Sequence, residues 1–192
     1  MIASLIRHIT LLALLAALCP SQSRAQDFTP VDYNALDVDL AFDPAAYDRL
    51  LTRFENADPS LDSRSVARLY YAYVRFPAFD PDRNILSLDF NIRKAREARA
   101  NESTDATRLQ ARVSMIASAI LSSGLGTIPQ APFFVTSYDD AISLVREVFG
   151  ARDIIGRSTV GGIDAIKFTL DDDPQRQHIL YFNTYRKPDN KL

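Results

Sequence analysis

Four chain breakers within nine residues, Gly124, Gly126, Pro129 and Pro132, divide this sequence into two stretches of different periodicity. Before them, apolar residues recur every three to four positions, as on one face of a helix; after them, they alternate or run in short blocks, as in strands. A chain patterned this way folds as α+β, with a helical half at about 42–124 and a small α/β half at about 131–187. Each half alone is thin for a core of its own, so one domain covering 26–192 is expected.

In the first half, Asp43-Pro44 reads as a helix start, with the acid as cap and proline at the first helical position. Tyr47, Leu50, Leu51 and Phe54 form the apolar stripe of this helix, which ends near Asn56. After a short connection comes the densest aromatic stretch of the chain, Arg68 to Pro81, holding Tyr70, Tyr71, Tyr73, Phe76 and Phe79. Val66, Leu69, Tyr70, Tyr73 and Val74 keep helical spacing. Asp62 is its expected cap, Leu61 packs onto Val66, and Pro77 stops the helix. The two helices form an αα-hairpin. A third helix is expected over Asn84–Ala100 with a solvated basic face (Arg93, Lys94, Arg96, Arg99). A fourth is expected from about Thr104 to Ser122, capped by Ser103 or Thr104 and closed by a left-handed Gly124.

The second half reads β-α-β-β-β. Phe133–Thr136 is a strand, Tyr138–Phe149 a helix, and Ile154–Val160 and Ile163–Leu170 a hairpin turned by Gly161-Gly162. His178–Tyr185 is the last strand, and the sheet is expected to be mainly antiparallel.

Residues 1–25 have the pattern of a secretory signal peptide: a basic start at Arg7, an apolar core from Ile9 to Leu18, and small residues Ser23 and Ala25 before Gln26. The apolar run is short of the roughly 20 residues that a membrane span needs. Removal of this leader leaves 167 residues (192 − 25) without Arg7 and Arg24, so 20 basic against 24 acidic groups, a formal charge of −4. Cys19 and His8 go with it. The remaining chain has no cysteine and a single histidine, His178, which excludes disulfides, cysteine nucleophiles and Cys/His zinc sites. A mildly acidic chain with no Lys/Arg run is not suited to nucleic acid.

On the helical wheel Arg64, Arg68, Tyr71 and Arg75 share the face opposite the apolar stripe, with Phe79 in the loop beyond. Two readings of this face are open. Either Tyr71 packs against the neighbouring half while the arginines pair with acids, or the face stacks on a sugar ring or binds a carboxylate or phosphate. Asp80, Asp82 and Asn84 match the start of a calcium loop, but Ile85 replaces the turn glycine and Asn91 the bidentate glutamate, so no metal is expected. No Gly-x-Ser-x-Gly elbow occurs, and no cofactor or catalytic residue is assigned.

Three segments carry a family pattern: Arg68-Leu69-Tyr70-Tyr71-Ala72-Tyr73 with its Phe-Pro-Ala-Phe-Asp-Pro sequel, Ile120-Leu121-Ser122-Ser123-Gly124-Leu125-Gly126, and Leu180-Tyr181-Phe182-Asn183. In this order they resemble the bacterial secreted family catalogued as domain of unknown function 4919. The resemblance implies an exported bacterial protein with a tetratricopeptide-like helical half, an α/β half and no established activity. It also implies a His-Glu pair near the start of the C-terminal helix, where this chain has Ser137-Tyr138-Asp139. The expectation is therefore a periplasmic or secreted, non-catalytic binding module for an envelope protein, peptide or glycan, using Arg64, Arg68, Tyr71, Arg75 and Phe79. The alternative is a hydrolase with an acid-base pair between the halves, around His178 or Asp139.

Overall fold

A computed structural model describes residues 43–75 and 84–184. The leader at 1–25, the lead-in at 26–41, Phe76, Pro77 and Phe79 lie outside the described residues, as does the side chain of Arg75. The described chain is α+β, with five helices and a four-stranded mixed sheet. The helices are α1 (Pro44–Glu55), α2 (Ser63–Arg75), α3 (Leu88–Ala100), α4 (Ala106–Ser122) and α5 (Tyr138–Glu147). The strands are β1 (Phe133–Val135), β2 (Ala151–Val160), β3 (Ile163–Leu170) and β4 (His178–Thr184). No described helix is long and apolar enough to cross a membrane.

The two cap assignments hold. Asp43 accepts the Ala46 N–H at 3.1 Å and Asp62 accepts the Ser65 N–H at 2.7 Å. The turn between α1 and α2 closes on Asp58, which accepts from the Ser60 hydroxyl at 2.7 Å, the Ser60 N–H at 2.8 Å and Arg53 Nε at 2.7 Å. The Ser60 hydroxyl, followed by Arg53, holds the Asp58 carboxyl down at about 2. From α4, Arg112 donates through Nε at 2.9 Å and through Nη2 to the Glu55 carbonyl, satisfying the exposed end of α1.

Helix α3 starts at Leu88, four residues later than its apolar periodicity suggests. Asn84 has φ 44° and opens a turn, and Ser87 caps the helix by accepting the Phe90 N–H at 3.2 Å. Buried Asn91 then holds the entry loop, donating to the Ile85 carbonyl at 2.8 Å and the Ser87 carbonyl at 2.7 Å. Its basic face is solvated as expected, with Arg93, Lys94, Arg96 and Arg99 all exposed.

The segment of breakers departs from a loose linker. Asp105 stands at the N-cap position of α4 without a side-chain cap bond, while the Ser103 hydroxyl accepts the Asp105 N–H at 3.2 Å; the helix ends on right-handed Ser123, so the left-handed cap expected at Gly124 is absent. Gly124 serves close approach instead, because a Cβ there would stand 2.2 Å from the Pro132 carbonyl oxygen. Ser123 Oγ accepts the Phe134 N–H at 2.8 Å, and the Gly126 carbonyl accepts the Tyr181 N–H at 2.7 Å. The chain is pinned to β1 and β4 as it passes between the halves.

The sheet order is β1-β4-β3-β2. Strand β1 runs parallel to β4, with Phe133 beside Phe182 and Val135 beside Thr184; the other pairs are antiparallel. Gly161 and Gly162, at φ 60° and 81°, make the two-residue turn that the sequence calls for. Strand β2 begins at Ala151, three residues before the alternating pattern does, since bulges at Ala151/Asp153 and Ile154/Gly156 break the alternation. Phe133, Val135, Ile166, Phe168, Leu180 and Phe182 are buried in one cluster with Tyr47, Phe54, Leu69, Ile116 and Leu144, so a single core runs from α1 to the sheet.

Candidate functional site

The sequence-derived face on α2 does not form as drawn. Arg64 is exposed and Arg68 half-buried, but Tyr71 is 5% exposed and belongs to the core, which removes it from any recognition surface. The physical reason is that α2 packs against both α1 and α4, so two of its faces are covered and a one-stripe wheel underestimates its burial. The acid-base pair of the hydrolase alternative is not assembled either. Asp139 lies at the start of α5, which follows β1 at the Thr184 end of β4, whereas His178 begins that strand, about 20 Å away along it. The His178 ring stacks on Phe168 at 5.6 Å, and its Nε2 has no hydrogen-bond partner among the described residues.

Polar chemistry gathers where β2, β3 and β4 meet the N-terminus of α5. The inward row of β3 reads Asp164, Ile166 and Phe168, all buried, with an acid where an apolar residue belongs. The cost of burying a carboxylate is met by three donors. Arg157 Nη2 lies 3.1 Å from Asp164 Oδ1, the Thr159 hydroxyl donates to the same oxygen, and the Thr184 hydroxyl donates to Oδ2 at 2.8 Å. Burial pushes the Asp164 carboxyl up, but the two hydroxyls and the guanidinium outweigh it and hold it below the usual carboxylate range. Arg157 is fixed from a second side as well, with its guanidinium carbon 3.9 Å from the centre of the Tyr138 ring. About a third of the Arg157 side chain (32%) still faces water.

This cluster had a sequence signal. A two-residue turn at Gly161-Gly162 fixes the register, placing Thr159 opposite Asp164 and Arg157 on the neighbouring diagonal. Hydrophobic periodicity alone singles out none of the three, since it marks only the apolar positions of a strand.

A second polar cluster joins the halves. Ser137 caps α5 by accepting the Asp140 N–H at 3.1 Å. The wholly buried Asp140 carboxyl reaches back into the helical half, where Oδ1 accepts the Ser87 hydroxyl at 2.7 Å and the Asp89 N–H at 2.9 Å. The Thr136 hydroxyl donates to Oδ2. One turn along α5, Ser143 donates to Asp89 Oδ1 at 2.9 Å. The sequence reading placed acid-base chemistry at neighbouring Asp139, which is exposed; the acid between the halves is Asp140. Replacing the cap, Ser137→Ala, is expected to cost about 1 kcal/mol in urea denaturation, and an unchanged midpoint would show that the bond is not formed in solution.

Comparison with family models, curated proteins and solved structures finds no match to this chain.

Proposed function

We propose that this chain is an exported, non-catalytic binding module of the bacterial envelope, and that it recognises a peptide through Arg157 presented on Tyr138. The observation that carries this reading is a guanidinium fixed by a buried carboxylate and an aromatic ring yet still open to water. Its ordering cost is met within the fold, and an arginine has five N–H donors, of which the bond to Asp164 takes one. The free donors suit a carboxylate in bidentate geometry. A peptide offers such a carboxylate at its C-terminus and in its acidic side chains. The leader pattern at 1–25 and the resemblance to a secreted family of unknown function support export.

The test is titration of the isotopically labelled chain with envelope peptides, following amide shifts. Shifts are expected to centre on Tyr138 and Arg157. Arg157→Lys, which keeps the charge but loses the fork, is expected to weaken binding about 10-fold or more, whereas Arg64→Ala leaves it unchanged. Shifts centred on α2, or equal affinity in Arg157→Lys, would overturn the assignment.

A further inference from the structure

We propose that Asp140 is a pH-responsive clasp between the two halves, a join that is most stable in acid and is destabilised as the surroundings become alkaline. The geometry places this carboxyl, fully buried, where α5 replaces solvent at the N-terminus of α3. It takes the second N–H of α3, while Ser87 takes the third. Among the described residues no cation compensates it. Its three donors are two hydroxyls and one backbone N–H, and a hydroxyl can turn from donor to acceptor. A proton on Oδ2 is therefore accommodated by rotation of the Thr136 hydroxyl, with the bonds to Ser87 and Asp89 intact.

Among the described residues, the side-chain charge that acts on it is that of Asp89, which disfavours ionisation. From α3 the nearest is the Asp89 carboxylate, held by Arg93 Nε at 2.9 Å and by Ser143. Further along that interface Arg96 is paired with Glu147 at 2.6 Å, and Arg146 and Asp139 complete the charged groups of α5. Strand β1 supplies none. On the sheet side Arg157 and Asp164 are engaged with each other. Burial, reinforced by the like charge of Asp89, raises the Asp140 carboxyl above its ordinary value despite the three donors.

The sign follows from proton binding. A carboxyl whose folded value is raised binds its proton more tightly in the native than in the unfolded chain, so stability is greatest below the ordinary carboxylate range and falls as pH rises through the folded value. Each unit of difference changes the folding equilibrium about tenfold. This runs opposite to Asp58 and Asp164, whose contributions disappear in acid.

The experiment is urea denaturation of the whole chain between pH 4 and 8, with hydrogen exchange read at the Asp89 and Phe90 amides and corrected for the intrinsic rate. In the parent, the Asp89 amide is expected to lose protection as pH rises. Asp140→Asn, which keeps the shape without the charge, is expected to hold protection level and to exceed the parent's midpoint at pH 8. Asp89→Asn leaves Asp140 in place and removes the like charge, so it should reduce the parent's slope. Equal slopes in all three proteins, or a parent whose Asp89 protection rises with pH, would overturn the clasp.

Discussion

Cutting the chain after Thr127 is expected to leave neither piece with a cooperative melting transition, which removes essentially all of the unfolding free energy. The reason is shared burial. Ile116 and Ile120 of α4 belong to one cluster with Phe133 and Phe182 of the sheet, so division exposes both sets at once. Each fully buried side chain of this kind contributes about 1.5–3 kcal/mol, and a domain has about 5–15 kcal/mol in all. The cut also falls within the pinned segment. It separates Gly126 from Phe133, whose ring fills the space that a Cβ on Gly126 would take. It separates Ser87 and Asp89 from Asp140 as well. Circular dichroism melts of the two pieces, alone and mixed, decide the matter. A sharp transition in either piece alone would mean that each half has its own core.

The helical half was legible because its signals are local. Asp43-Pro44 and Asp62 act within three residues of themselves, and the stripe Tyr47, Leu51, Phe54 needs only its own helix. The hairpin was legible for the same reason, since Gly161-Gly162 is a turn by backbone chemistry alone. Misreadings came where the deciding partner lies far along the chain. Tyr71 stands polar-side on an isolated wheel and is buried because α4 arrives from more than thirty residues away. Gly124 has the sequence context of a left-handed cap, but its conformation answers to the Pro132 carbonyl. Helix α3 starts at Leu88, where Ser87 caps it and the Asp140 carboxyl, 51 residues from Asp89, takes the Asp89 N–H. The Arg157–Asp164 pair was within reach of register arithmetic, whereas its ring support from Tyr138 depends on how α5 lies over the sheet.

Asp164→Ala is expected to lower the unfolding free energy by about 3 kcal/mol, or about 6–12 °C in melting temperature for a chain of this size. The substitution leaves a guanidinium and two hydroxyls, those of exposed Thr159 and half-buried Thr184, without their common acceptor. Partial exposure of Arg157 keeps the loss at the lower end of the range for a broken buried pair. Asp164→Asn should cost less, because its amide oxygen still accepts from Arg157 and Thr159. The two variants separate charge from shape. The folded carboxyl lies below the ordinary value near 4, so its contribution is complete above that value and is lost as pH falls through the folded one. The parent should therefore lose stability in acid more steeply than Asp164→Asn, with the two curves converging at low pH. If both variants instead run parallel to the parent down to pH 2, the pair is held by packing of Arg157 on Tyr138, and Tyr138→Ala should then cost as much as Asp164→Ala.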